Sequence, residues 1–142
     1  MKDRLEITDK IRDSADRYGS SNAQQIKQLI SSCENAPERE QFFGLFSFFY
    51  DPTLQENAYQ RQQLAATILY EISPSCPLNL DGVIYAMPKY WDLSIEELPW
   101  YLCKVFGKLK VQEFLEELLS DVKEGEIKKS FKTMLFWVKG YK

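Results

Sequence analysis

Apolar residues recur at helical spacing along nearly the whole chain. Residues 3–18 place Ile7, Ile11, Ala15 and Tyr18 four, four and three positions apart, with polar residues between them. This spacing aligns side chains on one face of an α-helix. The same pattern recurs in six further segments: 22–34, 37–50, 54–73, 94–106, 109–121 and 126–140. The pattern predicts an all-α chain of about seven or eight helices.

The segment 42–50 is the richest apolar run of the chain. It places Phe42, Phe46 and Phe49 on one face of a predicted helix that has few polar positions elsewhere. A helix that is apolar on most sides is buried, so we expect this one to be the central and most buried helix. The alternative is a structural subunit that buries this segment against a partner in a larger complex.

Residues 73–93 are the least regular part of the chain. Pro74, Pro77 and Asp81, which precedes a glycine, are typical of turns and interrupt the helical pattern. We expect a short helix at 83–87, or from a few residues earlier. A pair of short strands is also open.

A capping box is predicted just before the next helix. Ser94 and Glu97 stand three residues apart. The serine hydroxyl can therefore accept from the Glu97 N–H while the Glu97 carboxylate reaches back to the Ser94 N–H. Pro99 follows within the first two turns, where we expect it to distort the helix.

The connections between these segments are short, and no self-similar repeat of 20–50 residues is present. Successive short helices with such connections form antiparallel hairpins. We therefore predict a single helical domain over residues 1–142, built as a bundle or as a short, irregular HEAT-like stack.

The composition suits a folded chain that needs no cross-link. Of 142 residues, 44% are hydrophobic and 20 are aromatic, which is enough for a core at this length. No apolar run approaches the roughly 18 residues of a membrane span. The charged N-terminus is not typical of a signal peptide. Three cysteines without a CxxC spacing favour neither disulfides nor zinc. We expect a cytoplasmic protein with no membrane partner.

Residue types needed for most catalytic and metal sites are missing. The chain has no histidine, which excludes histidine-dependent triads and histidine-ligated metals. It also has no GxxxxGKS/T or GxGxxG phosphate loop. The sequence predicts no catalytic residue, no metal ligand and no cofactor. The segment 89–92, Lys-Tyr-Trp-Asp, could line a cleft, so a small enzyme or ligand-binding protein with a pocket near residues 76–92 is an alternative.

A row of carboxylates marks the helical segment 109–124. Its members recur four, four and three positions apart, with a fifth beside them: Glu113, Glu117, Asp121, Glu124 and Glu116. Like charges at this spacing destabilise a helix by roughly 0.2–0.5 kcal/mol per pair, so a chain that keeps them can use them to attract a basic partner. The alternative is a solvated face, partly neutralised by lysines of the last helix: Lys128, Lys129 and Lys132.

Overall charge favours a protein partner over a nucleic acid. The net charge is −3 and the isoelectric point about 5.1, whereas nucleic-acid binders usually carry a basic stripe. Residues 127–142 hold five lysines and no acid, which could contact nucleic acid or phospholipid head groups. The simpler interpretation is contact with the neighbouring acidic helix, so we expect no nucleic-acid partner.

Two segments near the C-terminus carry a resemblance. Residues 98–107 read LPWYLCKVFG, and residues 134–137 read MLFW. With this layout, roughly the last fifty residues resemble small helical proteins of bacterial toxin–immunity systems, including immunity proteins of contact-dependent inhibition. Such proteins are small, often acidic and cytoplasmic, and they neutralise a toxin domain by binding it. The resemblance implies a non-enzymatic binding protein, and our leading hypothesis is that it binds a basic toxin domain through the acidic row.

Overall fold

Over residues 3–142, which the computed structural model describes, the chain is all-α, as predicted. Met1 and Lys2 of the charged N-terminus lie outside the described residues. Eight α-helices follow one another: α1 Arg4–Tyr18, α2 Ala23–Cys33, α3 Glu38–Phe46, α4 Ala58–Ile72, α5 Leu80–Ala86, α6 Glu97–Phe106, α7 Lys108–Asp121 and α8 Glu126–Gly140. Two single-turn 3-10 helices, Ser47–Phe49 and Pro52–Leu54, connect α3 to α4. None of these helices is long and apolar enough to cross a membrane.

Helix α4 is the centre of the bundle, because it packs against α1, α2, α3 and α6. Its small residues Ala65 and Ala66 are fully buried beside Leu64 and Ile68. Small side chains let neighbouring helices approach α4 from several directions. The prediction that the segment 42–50 forms the central helix is wrong in this respect, since α3 packs mainly against α1 and α4.

The predicted burial of the segment 42–50 is nevertheless confirmed. Four of its phenylalanine side chains are fully inaccessible within the chain itself: Phe42, Phe46, Phe48 and Phe49. The Phe42 and Phe46 rings stack with their centroids 5.0 Å apart. Because these four rings are covered, Phe43 and Tyr50 are the aromatic residues of the segment that keep exposed surface for a structural partner.

Helices α1 and α3 meet at Gly44. The Thr8 hydroxyl donates to the Gly44 carbonyl at 2.9 Å, and a Cβ at position 44 would lie 2.7 Å from the Ile7 side chain. Any larger residue would therefore push the two helices apart, because protein interiors are close-packed.

Helices α3 and α4 are each shorter than predicted where they face the connection between them. The pattern predicts helices over 37–50 and 54–73, and both lose about one turn there. Pro52 has no N–H to donate to a helix, and the Asp51 carboxylate accepts from the Thr53 N–H and hydroxyl at 2.9 and 2.8 Å. These bonds stabilise a turn in place of helical backbone.

The capping box predicted at Ser94 and Glu97 does not form. Helix α6 begins only at Glu97, and Ser94 instead donates its N–H and hydroxyl to the Asp92 carboxylate at 3.0 and 2.7 Å. The late start places Pro99 at the third helical position, where a backbone N–H has no intrahelical acceptor. The missing N–H of proline costs the helix nothing there, which explains the shifted beginning.

The irregular segment 73–93 contains α5 and no strand. The loop after α5 is held by Gln62 of α4, whose side-chain amide donates to the Tyr90 carbonyl and accepts from the Asp92 N–H, both at 2.8 Å. Gln62 stands among other polar residues in the first half of α4, but it is buried. Its partners lie about 30 positions further along the chain, so local periodicity does not reveal this role.

Candidate functional site

Helix α7 divides its residues between core and solvent as their spacing predicts. Val111 and Leu115 are fully buried, and the predicted carboxylates lie on the exposed side. Four of them, called here the α7 acidic row, are exposed on the helix: Glu113, Glu116, Glu117 and Asp121. The fifth, Glu124, follows the end of α7, so the prediction that it continues the helical row is wrong.

No member of the α7 acidic row forms an ion pair with a cation of residues 3–142. The pairing that does occur is with Glu124, whose Oε1 lies 3.1 Å from Lys128 Nζ. This hydrogen bond holds the pKa of the Glu124 carboxyl below its usual value. Neutralisation by a lysine of α8 is therefore seen at Glu124, whereas the four carboxylates of the row stay exposed without a paired cation in the described chain.

Helix α5 adds another carboxylate beside the α7 acidic row. A groove of about 520 Å³ between the two helices is lined by acids, aromatic residues and one lysine, including Asp81, Phe106, Lys110, Glu113, Phe114 and Glu117. Asp81 is exposed in the first turn of α5. The sequence gives no sign of this neighbour, because Asp81 reads as a turn residue and lies about 30 positions before the row.

Tyr85 lies between the α7 acidic row and a neighbouring apolar cleft. Its side chain is 58% exposed, and its ring centroid lies 6.3 Å from those of both Phe114 and Phe131. It lines a small depression with Glu117 and Asp121, and it also lines the cleft. Exposed tyrosines with aromatic neighbours are typical of protein-binding surfaces.

The apolar cleft has a volume of about 760 Å³. It lies between α8 on one side and α5 with the loop after it on the other. Its lining is mainly apolar and includes Tyr85, Pro88, Trp91, Leu93, Ile127 and Phe131. A cleft is therefore present near the predicted range 76–92, with α8 as a second wall that the sequence did not indicate. Of the segment 89–92, Lys89 and Trp91 line it.

Polar groups on the cleft walls are already bonded within the protein. The Trp91 indole N–H donates to the Ile95 carbonyl at 3.0 Å, and the Ser130 hydroxyl donates to the Pro88 carbonyl at 3.4 Å. The two charged lining residues, one lysine and one glutamate, are exposed. The cleft can thus hold an apolar group, with these two charged side chains at exposed positions of its lining.

The remaining perturbed titratable groups lie apart from this surface. Burial raises the pKa of the Glu96 carboxyl, and the charge of Glu97 adds to the effect, but Glu96 lines neither the groove nor the cleft. Burial also raises the pKa of the Cys103 thiol to about 11, which keeps it in the unreactive protonated form at neutral pH. No cluster suited to a metal ion occurs among residues 3–142.

The segments that carry the resemblance contribute several residues to the core. Leu98, Tyr101 and Leu102 of α6 and Met134 of α8 are buried, so these positions shape the core more than a binding surface. Comparison of the chain with family models, curated proteins and solved structures gives no match. The resemblance to bacterial immunity proteins therefore stays a prediction.

Proposed function

We propose that the chain is a non-enzymatic, immunity-type protein that neutralises a basic toxin domain by binding it through the α7 acidic row. The observation that carries the proposal is the exposure of four carboxylates that have no cation partner in the described chain. A partner that supplies lysines or arginines removes the repulsion within the row. The field of the row also raises the association rate of such a partner.

A ligand-binding role for the apolar cleft is the second candidate. Its volume falls within the roughly 300–1,000 Å³ of small-molecule sites. The mainly apolar lining and the bonded state of the Trp91 and Ser130 polar groups support the binding of an apolar ligand. The hypothesis of a structural subunit has less support, because four of the five phenylalanines of the segment 42–50 are buried within the chain.

The first part of the test identifies a partner. The full chain serves as bait in an extract of its own cells, and proteins encoded by neighbouring reading frames are purified as candidates. A candidate counts as the partner only if the purified pair associates and if co-expression of the chain abolishes the candidate's toxicity. An antitoxin role predicts both results for the same protein.

The second part measures association rates for three triple variants. One reverses charge in the row, one removes charge there, and one applies the same reversal to exposed acids of other elements: E113K/E117K/D121K, E113Q/E117Q/D121N and E34K/E56K/E71K. We expect the row reversal to slow association at 0.1 M salt by a factor within the ~10–10³ range of electrostatic steering. The neutral variant should slow it less, and the control reversal should stay near the wild-type rate, because its charges lie outside the row.

Raising salt to 1 M should bring the wild type towards the neutral variant, since the Debye length falls from about 10 Å to about 3 Å. Circular dichroism verifies that each variant is folded. A folded row-reversal variant that associates at the wild-type rate and still abolishes toxicity would contradict the proposal.

A further inference from the structure

We infer that the apolar cleft receives an apolar side chain of the same basic partner, so that the partner presents an apolar anchor flanked by lysine or arginine. This inference rests on the proposed function and specifies which chemistry of the partner occupies the cleft beside the α7 acidic row. It requires that the cleft be apolar and that it adjoin the row. It also requires that the charges around the cleft favour basic residues on either side of the anchor.

The chemistry of the cleft fits an apolar anchor. Trp91 and Phe131 are only 3% and 1% exposed in its lining, whereas Tyr85 and Ile127 are more than half exposed. The Leu93 carbonyl accepts from an α8 indole N–H at 2.8 Å, as other wall polar groups are engaged within the protein. Burial of a polar group without a hydrogen bond costs free energy. An aliphatic or aromatic side chain is therefore the occupant whose burial in the cleft costs least.

The cleft and the acidic row form one continuous surface. Tyr85 lines the cleft and also the depression that contains Glu117, Leu118 and Asp121. Glu117 and Asp121 are one helical turn apart, or about 6 Å along the axis. Because Tyr85 lines both the cleft and this depression, a chain segment with its anchor in the cleft can extend past Tyr85 towards these carboxylates.

Charge complementarity decides what flanks the anchor. The groove, depression and cleft together are lined by five carboxylates and two lysines: Asp81, Glu113, Glu117, Asp121 and Glu126, with Lys89 and Lys110. An acidic segment would meet repulsion there, and a neutral one would gain nothing from the row. A basic segment is the occupant that satisfies both the cleft and its surroundings.

Three synthetic twelve-residue peptides probe this inference on the full chain. The first has one central phenylalanine among four lysines, with glycine and serine elsewhere. The second replaces the phenylalanine with serine, and the third replaces the lysines with glutamates. Dissociation constants come from fluorescence anisotropy at 0.1 M salt, and the Ile127 methyl signals in NMR spectra report occupancy of the cleft.

We expect the basic phenylalanine peptide to bind about 10- to 100-fold more tightly than the serine peptide, as burial of one large apolar side chain allows. It should also shift the Ile127 methyl signals, and the glutamate peptide should bind at least ten-fold more weakly. Y85A/I127A should remove most of the advantage of phenylalanine over serine. The matched control Phe136→Ala changes an exposed aromatic residue on the same helix outside the cleft, and it should bind like the wild type.

Other outcomes separate this inference from the proposed function. Equal binding of the phenylalanine and serine peptides, both weakened by E113Q/E117Q/D121N, overturns the anchor and leaves the acidic row supported. Equal binding of the basic and acidic phenylalanine peptides overturns the basic occupant, as does failure of every peptide to saturate at millimolar concentration. Dimerisation of the chain that Ile127→Ala abolishes, measured by sedimentation equilibrium, would make a second copy the occupant and also overturn the inference.

Discussion

Helices α1 and α7 both expose acidic residues, but only α1 pairs them with arginines. Asp9 and Asp13 each have a carboxylate oxygen 3.2 Å from the Arg12 guanidinium, and Asp16 lies 2.7 Å from Arg61 of α4. The α7 acidic row has no such cation among the described residues. One region therefore uses its charges within the fold, whereas the other leaves them available for contacts outside it.

The aromatic residues of the two regions differ in the same way. Phe46 at the end of α3 is fully buried, whereas Phe136 on α8 is 66% exposed. Phe46 thus packs between helices, whereas Phe136 leaves a large aromatic side chain on the surface. Identical substitutions in the two regions should therefore have unequal effects on stability.

The largest difference is expected for Phe46→Ala against Phe136→Ala. Truncation of a buried phenylalanine costs about 3–5 kcal/mol, which is a large part of a typical total stability of roughly 5–15 kcal/mol. Truncation of the exposed Phe136 should change stability by less than about 0.5 kcal/mol. Urea denaturation midpoints of both variants measure this. Equal midpoints would contradict the difference in burial between Phe46 and Phe136.

A smaller difference is expected for Gly44→Ala against Gly140→Ala. The added Cβ at position 44 would lie 2.7 Å from Ile7, whereas nothing lies within 4 Å of one at position 140. Overpacking costs about 1–3 kcal/mol, and alanine in place of an unconstrained helical glycine is neutral or stabilises by up to about 1 kcal/mol. The midpoint of thermal unfolding should fall for Gly44→Ala and should rise or stay unchanged for Gly140→Ala. An unchanged melt for Gly44→Ala would contradict the close approach of α1 and α3.

The smallest difference is expected for Asp16→Asn against Asp121→Asn. Hydrogen bonds from Arg61 at 2.7 and 2.9 Å hold the pKa of the Asp16 carboxyl below its usual value. Breaking a buried pair costs about 3–5 kcal/mol; because Asp16 is 38% exposed, solvent screening reduces the expected loss to about 1–2 kcal/mol. Asp121→Asn should be neutral or slightly stabilising, since it removes an anion near a helix C-terminus.

The pH dependence of Asp16→Asn supplies the control. A carboxyl with a lowered pKa in the folded state stabilises the fold above its unfolded pKa of about 3.9, and this stabilisation is lost as the pH falls through the folded pKa. The gap between wild type and Asp16→Asn should therefore be full at pH 7 and shrink below about pH 4. A gap that does not change with pH would argue against the ion pair as its cause.

Several features of the candidate surface were predictable from local spacing. The four-residue repeat lies opposite Val111 and Leu115, so it predicts that the acidic row is on the exposed face of α7. The same spacing wrongly continues the helix to Glu124, because it does not indicate that α7 ends at Asp121. The apolar cleft was only partly predictable, since its α8 wall lies about 40 positions after its α5 wall.

Buried polar residues show where local spacing is not sufficient. Arg61 and Gln62 stand among polar neighbours in the sequence of α4, yet both are buried. Each is stabilised by partners far along the chain, Asp16 for the arginine and the loop after α5 for the glutamine. The capping box does not form for a local reason, because Ser94 bonds to Asp92 two positions earlier and Pro99 favours a later beginning of α6.

The sequence by itself determined the all-α class, the burial of Phe42, Phe46 and Phe49, and the exposure of the α7 acidic row. These properties follow from apolar periodicity, which depends only on residues within a few turns of one another. The tertiary structure alone decided that Asp81 and Tyr85 lie beside the α7 acidic row, that α8 closes the apolar cleft, and that Asp16 of α1 pairs with Arg61 of α4. Such relations depend on which helices pack together, and packing brings residues into contact regardless of their separation in the chain.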